Sequence, residues 1–330
     1  MIESIEIKNL RGIREGKLDS LTPLTILVGP NGCGKSTILD ALLIAAHPEP
    51  HEAVGQAVAR RAGVDEGARW LIWHADSTKK IQLSVRSVGA GGNRGCVLVF
   101  DRAKAGEVAR VRLKAPGVQG GAQSVVVTFG RGNEYEHSAE TKFLEVVPEV
   151  RLVETGTRKG ESLHTLYTQA VVQGRRDQTV AILKNLIPSL RDIVILTEQD
   201  RPILHFVYED FSVPAALGGD GVHALLRLVL ETATRQRGLL LIEEPELHLH
   251  PAAIAQSARV IVAAVRAGIQ IVLSTHSLEF IDSVLVASDE KDLDHLSVSR
   301  LKLDNGGLIS SRLSGKDVAV ERNQIEDDLR

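Results

Sequence analysis

The sequence predicts an α/β fold of the P-loop NTPase class, and three observations carry that prediction. The first is a glycine-rich segment at residues 29–37, which lies between an apolar run and a helix-like stretch. The second is a later apolar run that ends in two carboxylates, Glu243 and Glu244. The third is the alternation of strand-like and helical patterns over the last third of the chain, which is typical of a parallel sheet.

The composition is that of a soluble α/β protein. Of the 330 residues, 43% are hydrophobic and 25% are charged, but only 3% are aromatic, so the core must consist mainly of aliphatic side chains. This length predicts one large nucleotide-binding domain with inserted subdomains. The net charge of −3 argues against a uniformly basic nucleic-acid surface. A local basic groove formed only in a dimer would not be apparent from the net charge.

Cysteine usage and hydropathy predict a cytoplasmic protein. The two cysteines, Cys33 and Cys96, are too few for a disulfide framework or a zinc cluster. The N-terminus lacks a signal-peptide pattern, and no uncharged run reaches ~18 residues. We therefore expect a reducing environment and no membrane span.

The first lobe, residues 1–50, contains the phosphate-binding loop. Strands are predicted over residues 2–8 and 24–28, and a helix is predicted over 38–46. The glycines let backbone N–H groups surround a phosphate, and the positive end of the helix faces the same anion. The candidate ATP-binding residues of this loop are Gly29, Pro30, Asn31, Gly32, Cys33, Gly34, Lys35, Ser36 and Thr37.

The next two segments are predicted to be inserted subdomains. Residues 51–155 should form an antiparallel β subdomain beside the first lobe, because Pro48 and Pro50 end the helix and β-like runs between glycine-rich turns follow. Residues 156–235 should form a helical lobe, since the period becomes helical from Ser162 and predicts a two-helix insertion. The expected strands lie at 81–88, 96–100, 108–113, 124–129, 143–153, 193–197 and 203–208, and the last helix of this part lies at 222–235.

Residues 236–330 are predicted to return to the first lobe and complete the site. The strand at 239–243 ends in the two carboxylates, of which Glu243 is assigned to Mg²⁺ and Glu244 to the attacking water. Ser36 supplies a hydroxyl to the same Mg²⁺, and Lys35 places a positive charge at the phosphates. A helix is predicted over 252–266 and the next parallel strand over 269–274. His276 follows that strand, where an imidazole can bond the terminal phosphate.

With these motifs in order, the chain resembles the ATPase head of the overcoming-lysogenisation-defect family. Those heads are AAA-type P-loop ATPases similar to RecF, SMC and ABC-type ATPases. The resemblance covers most of the chain but includes no fused Toprim nuclease. It rests on the opening Ile5-Glu6-Ile7-Lys8-Asn9-Leu10-Arg11-Gly12, on residues 166–188, on Glu243-Glu244-Pro245-Glu246-Leu247-His248-Leu249-His250-Pro251, on Ser274-Thr275-His276-Ser277, and on the closing residues 313–330.

The resemblance implies a homodimer that encloses two ATP molecules between the phosphate loop of one subunit and a signature loop of the other. By position, Gly219, Asp220 and Gly221 would be that signature. Glu244 would be the catalytic glutamate and His276 the switch histidine. Arg11 would lean toward the nucleotide.

Two positions depart from the pattern of ABC-type heads. Glu243 stands where those heads carry aspartate, although a double glutamate is usual in the lysogenisation-defect relatives. The signature serine is replaced by Ala216 or Leu217, and neither side chain carries a hydroxyl for the partner's γ-phosphate. Backbone N–H groups at the start of the following helix could still bind that phosphate.

Three motifs have an ordinary structural explanation beside the functional one. Residues 219–221 could be a glycine turn in which Asp220 caps the next helix. His248 and His250 could ligate a metal, but simple loop spacing is the better interpretation. Asp289, Asp292 and Asp294 could bind Mg²⁺ as in a Toprim nuclease, but only 54 residues follow His276, and we expect a solvated acidic loop and no DNA cleavage by this chain alone.

The sequence thus predicts an ATPase head that binds ATP and Mg²⁺, hydrolyses ATP and dimerises around it. DNA-related work such as repair or phage defence is expected, together with a separate nuclease or another effector protein, and DNA itself is a candidate partner. The alternative is an ATP-gated binding or regulatory module with little or no turnover. A GTPase is a weaker option because no Asn-Lys-x-Asp stretch exists to recognise guanine.

Overall fold

The computed structural model describes residues 1–61, 64, 66–88, 92–116, 122–138, 149–154, 161–235 and 237–322, and it has the predicted mixed α/β architecture. Within these residues, no helix is both long and apolar enough to cross a membrane. The strands are β1 (Ile2–Leu10), β2 (Ile13–Leu18), β3 (Leu24–Val28), β4 (Lys80–Ser87), β5 (Asn93–Asp101), β6 (Ala109–Pro116), β7 (Ala122–Phe129), β8 (Tyr135–His137), β9 (Val150–Glu154), β10 (Asp192–Glu198), β11 (Arg201–Val207), β12 (Ser212–Pro214), β13 (Gly238–Glu243), β14 (Ile269–Ser274), β15 (Leu296–Asp304) and β16 (Gly307–Ser314). The helices are α1 (Lys35–Ala46), α2 (Pro50–Ala59), α3 (Leu163–Val172), α4 (Arg176–Lys184), α5 (Asp220–Ala233), α6 (Pro251–Arg266), α7 (Leu278–Ala287), α8 (Glu290–Leu293) and α9 (Gly315–Val320).

A 13-stranded sheet runs through the molecule in the order β8-β7-β6-β5-β4-β1-β2-β16-β15-β3-β14-β13-β9. Its parallel part joins β3 to β14 and β15, and β13 to β14 and β9. Glu243 at the end of β13 lies opposite Ser274 of β14 and Glu154 of β9. The carboxyl ends of these strands therefore meet at one edge, where open α/β sheets bind their ligands.

The antiparallel strands continue this sheet and do not form a separate sheet beside the first lobe. β4 pairs with β1, and β5 to β8 extend the order outward from β4. The run expected at 143–153 also differs from the prediction. Its described part, β9, pairs in parallel with β13 at the opposite edge of the sheet, and residues 143–148 lie outside the described part of the chain.

Both faces of the parallel strands are covered, which explains their continuous apolar sequences. In β3, Leu27 belongs to one core, together with α1, α2 and the antiparallel strands, whereas Ile26 and Val28 belong to a second core, with α5, α6 and α7. β13 alternates in the same way, with Leu241 in the first core and Ile242 in the second. The sheet thus separates two hydrophobic layers.

The helical insertion has the predicted two helices, α3 and α4. Strands β10 and β11 follow as expected, and with β12 they form a second, three-stranded antiparallel sheet. The hydroxyl of buried Tyr167 on α3 donates a hydrogen bond to the carbonyl of Ile193, 2.6 Å away, and so ties the helices to this sheet.

Helix α2 was not predicted, because Pro48 and Pro50 were interpreted only as a stop signal. Pro50 occupies the first turn of α2, where its missing N–H has no intrahelical partner to lose. The same proline therefore begins a helix. α2 packs against α1 and contributes Ala53, Val54, Ala57 and Val58 to the first core.

Candidate nucleotide site

The phosphate-binding loop follows β3 and precedes α1, as its motif requires. Gly29, Gly32 and Gly34 have φ values of +141°, +79° and +98°, a region that other residues rarely adopt. At Gly29 a Cβ atom would also lie 2.4 Å from the carbonyl oxygen of Leu301. Glycine is therefore required at the loop entrance by both backbone conformation and space.

Lys35, the first residue of α1, folds back over this loop. Its side chain is buried, and its Nζ donates hydrogen bonds to the carbonyl of Gly29 at 2.7 Å and to that of Pro30 at 3.2 Å. Burial lowers the pKa of Lys35, and nearby Cys33 and Glu244 partly oppose that shift. The ammonium thus stands at the loop, next to the partly exposed Ser36 and the buried Thr37 of the first helical turn.

Glu244 and His276 meet at the carboxyl ends of β13 and β14. Glu244 has a φ of +48°, and its backbone N–H donates to the carbonyl of Ser274 at 3.0 Å. Its Oε1 lies 3.7 Å from Nε2 of His276. Both side chains remain about one-third exposed, at 35% and 36%. The structure therefore brings these two predicted residues together at an edge open to solvent.

Glu246 is a site residue to which the sequence assigned no role. Its Oε1 accepts hydrogen bonds from the Thr275 hydroxyl at 2.7 Å and from the His276 backbone N–H at 3.0 Å. Burial raises the pKa of Glu246, although these two hydrogen bonds act in the opposite direction. Glu246 joins the loop after β13 to the loop after β14 and so positions His276. Its only signal in the sequence was its place in the Glu-Glu-Pro-Glu stretch.

A buried ion-pair cluster includes Glu243, and the sequence analysis did not predict it. At its centre, Asp40 of α1 has no solvent exposure and accepts from Nη1 of Arg60 at 2.5 Å. Arg60, just after α2, also contacts Glu243 and Glu154. Burial lowers the pKa of the Arg60 guanidinium, but Asp40, Glu243 and Glu154 outweigh it and raise that pKa overall. Glu243, the predicted Mg²⁺ ligand, is thus also an ion-pair partner of Arg60.

Arg11 belongs to the same cluster. Its Nε lies 2.9 Å from Oδ2 of Asp40, and its Nη2 donates to the carbonyl of Ala57 at 2.7 Å. Burial lowers the pKa of Arg11, while Asp40 opposes the shift. The Arg11 side chain therefore contacts α1, the helix that Lys35 begins, and α2.

The candidate signature loop lies at the start of the 14-residue helix α5. Gly219 is the N-cap residue with a φ of +86°, and Asp220 is the first helical residue, so Asp220 does not cap the helix as the ordinary explanation proposed. At Gly221 a Cβ atom would lie 3.2 Å from the carbonyl of His248. The loop after β13 therefore packs against the start of α5.

The ordinary explanations fit the two other motifs. His250 caps α6, because its Nδ1 accepts from the backbone N–H of Ala252 at 3.3 Å, and His248 is exposed with a φ of +62°. Each carboxylate of the acidic trio is engaged locally. Asp289 caps α8, Asp292 pairs with Arg266, and Asp294 lies 2.7 Å from Nζ of Lys316.

Two family models match the chain. Residues 1–85 match a model described as "AAA ATPase domain", and residues 127–282 match one described as "AAA domain, putative AbiEii toxin, Type IV TA system". Together they include the phosphate loop, the two carboxylates and His276. The chain thus matches models of AAA-type ATPase domains over both of these regions. The narrower resemblance to the lysogenisation-defect family stays a prediction.

Among curated proteins, the chain is 34% identical over 82 residues to the DNA double-strand break repair Rad50 ATPase of Methanopyrus kandleri. The matched segment makes up 24% of this chain but only 9% of that protein. The chain is 30% identical over 113 residues to the uncharacterized protein MJECL11 of Methanocaldococcus jannaschii, covering 34% of this chain and 98% of that protein. A solved Smc head bound to the C-winged helix domain of ScpA superposes with a TM-score of 0.56 at 15% identity, over 96% of this chain and 99% of that one. The fold is that of SMC-type ATPase heads.

Proposed function

Since the chain belongs to the same family as MJECL11 and carries this P-loop site, we propose that it is an ATPase head that hydrolyses ATP to ADP and phosphate. The observation that carries the proposal is the convergence of Lys35, Glu244 and His276 at the carboxyl edge of the parallel strands. Buried Lys35 would donate hydrogen bonds to the β- and γ-phosphates. The charged phosphate oxygens would replace the loop carbonyl oxygens as the acceptors of the ammonium group.

The residues assigned to Mg²⁺ fit that ion chemically. Ser36 and Glu243 offer a hydroxyl and a carboxylate oxygen, and Mg²⁺ prefers oxygen ligands and shares them with substrate phosphates. When bound, Mg²⁺ would neutralise part of the charge on the phosphates. Arg60 pairs with the carboxylate of Glu243, so it would both orient that group and compete with Mg²⁺ for it.

Glu244 would hold the attacking water and accept its proton. Glu244 directly follows β13 and has a left-handed backbone conformation, and a loose phosphoryl transition state depends on the positioning of the attacking water. His276, 3.7 Å from Glu244, would contact the γ-phosphate and couple its presence to the loop that Glu246 holds.

Dimerisation around ATP is a further part of the proposal. The start of α5 presents Gly219 and Asp220, and Leu217 beside them is 75% exposed. In a dimer, the first backbone N–H groups of α5 would face the partner's γ-phosphate, which helix N-termini bind without a side-chain hydroxyl. DNA and a separate effector protein are the partners that would use the resulting opening and closing.

The second candidate function is an ATP-gated module with little turnover. Two observations favour it, namely the ion pair between Arg60 and Glu243 and the replacement of the signature serine by Ala216 or Leu217. Equilibrium ATP binding and steady-state phosphate release, measured with and without DNA, separate the candidates. A rate that DNA stimulates supports the ATPase head, whereas one bound ATP per chain without phosphate release supports the gated module.

A further inference from the structure

A second polar cluster lies at the opposite end of α2 from Arg60. His51 and Glu52 belong to the first turn of α2, and His137 is the last residue of β8. Some eighty residues of sequence separate the two parts, and folding brings them side by side. None of these residues belongs to the proposed ATP site.

The three side chains offer ligand atoms that converge on one point. Nε2 of His137 lies 2.8 Å from Oε1 of Glu52, and Nε2 of His51 lies 4.0 Å from the same oxygen. The two imidazole rings meet edge to face with their centroids 4.6 Å apart. One ligand atom from each residue can be chosen so that all lie within 4.8 Å of one another. The ligands of a four-coordinate zinc ion lie about 3.3–3.5 Å apart, so small side-chain rotations suffice.

The surrounding fold holds the two parts at this distance. At Gly55, one helical turn after His51, a Cβ atom would lie 2.2 Å from the Tyr135 ring, so α2 rests directly on β8. The Tyr135 hydroxyl donates to Oε2 of Glu52 at 3.2 Å. Asn133, just before β8, accepts from the Gly67 N–H at 3.0 Å and donates to the Val64 carbonyl at 2.8 Å. These contacts hold α2 and β8 against each other at the cluster.

We propose that His51, Glu52 and His137 form a binding site for a divalent transition-metal ion of the Zn²⁺ class. Two imidazoles and one carboxylate are a known zinc ligand set, whereas Mg²⁺ prefers oxygen alone. Tyr135 acts as the outer partner that orients the Glu52 carboxylate. His51 is 3% exposed and His137 is 30% exposed, so the site is anchored in the protein and open to solvent on one side.

The donor chemistry agrees with this assignment. Burial, followed by the nearby His137, lowers the pKa of His51, which favours the neutral imidazole that metals bind. A bound ion would fasten α2 to β8. Because Arg60 directly follows the other end of α2 and contacts Glu243, the ion would also steady the helix that precedes this arginine.

The test is a titration of the nucleotide-free, Mg²⁺-free full chain with ZnCl₂ by calorimetry, with Co²⁺ absorption as a second probe. We expect one tight Zn²⁺ site per chain and a rise in melting temperature on binding. His137→Ala should weaken this site by more than ~100-fold, because it removes a ligand. Tyr135→Phe keeps all three ligands and should weaken it by ~10-fold.

Two control variants make the titration decisive. His295→Ala removes an exposed histidine away from the cluster and should leave Zn²⁺ binding unchanged. The double variant His248→Ala, His250→Ala removes the other histidine pair and should also bind as wild type does. The proposal is overturned if the wild type binds no Zn²⁺ stoichiometrically, if folded His137→Ala and Tyr135→Phe bind as tightly as wild type, or if the double variant abolishes the site.

Discussion

The phosphate loop and helix α2 both pack against α1, but they use the sequence in different ways. The loop is built from consecutive residues whose backbone binds the ligand, and its glycines adopt conformations that few other residues tolerate. The polar groups of α2 act through side chains on distant parts of the chain, as Arg60 does with Asp40, Glu154 and Glu243. A site made by local backbone is visible in the sequence, whereas one made by converging side chains is not.

The largest effect is expected in the loop. Lys35→Ala should lower phosphate release by at least ~100-fold and weaken ATP binding, because a buried phosphate pocket would lose its close ammonium group. Folding should survive, since within the described part of the chain the Lys35 ammonium donates hydrogen bonds only to two loop carbonyls and the Cys33 thiol. Malachite-green phosphate assays and thermal melts check both statements. Lys80→Ala, at an exposed lysine of β4, is the matched control. If Lys35→Ala releases phosphate at the same rate as Lys80→Ala, the assignment of Lys35 to the ATP phosphates is wrong.

The next largest effect is expected in the buried ion-pair cluster at the end of α2. Arg60→Ala should lower the free energy of unfolding by about 3–5 kcal/mol, because it leaves the fully buried Asp40 without its main partner. Urea unfolding followed by circular dichroism measures this. Arg61→Ala provides the control, since Arg61 is 34% exposed and reaches the same carboxylates only at 3.7 and 3.9 Å. Arg61→Ala should lower the free energy of unfolding by less than ~1 kcal/mol. Equal losses in the two variants would contradict the described cluster.

Arg60→Ala also tests whether Arg60 orients the carboxylate of Glu243 or competes with Mg²⁺ for it. If Arg60 mainly orients Glu243, the variant loses phosphate release, whereas if Arg60 mainly competes for Glu243, the surviving folded protein releases phosphate faster at limiting Mg²⁺. The Mg²⁺ dependence of the rate at low temperature, where the variant remains folded, distinguishes the two.

A smaller effect concerns Glu246 and pH. Burial raises the pKa of Glu246 above its ordinary value of 4.5, so the folded state binds this proton more tightly than the unfolded state. The resulting stability is present below pH 4.5 and is lost as the pH rises through the raised pKa. Glu246→Gln should therefore show a flatter dependence of unfolding free energy on pH over this window. If Glu246→Gln shows the same dependence of unfolding free energy on pH as the wild type, Glu246 is not the origin of that dependence.

The same contrast explains which parts of the fold could be predicted. Strands β3, β13 and β14 and helix α6 were expected nearly to the residue, because apolar runs and helical periods are local signals. β9 was assigned to the wrong neighbours, since partner choice depends on contacts distant in sequence. α2 was missed because a proline both ends one helix and begins another.

The candidate site divides in the same way. Lys35 and Ser36 could be located from the loop motif, and Glu244 and His276 from their places after two strands. Their proximity could be expected only because parallel strands end at one edge. Arg60 and Glu246 could not be found, because nothing in their local sequence indicates which carboxylate or loop they contact.

The central claim, that ATP is hydrolysed at the carboxyl edge of β13 with Glu244 holding the water, is tested most directly by Glu244→Gln. The amide keeps the shape of the side chain but cannot accept the proton. We predict that phosphate release is lost, that Mg²⁺-ATP binding is retained, and that light scattering shows an accumulated dimer with ATP. Glu290→Gln, at an exposed glutamate of α8, should behave as wild type does. Phosphate release near the wild-type rate in Glu244→Gln would contradict the account.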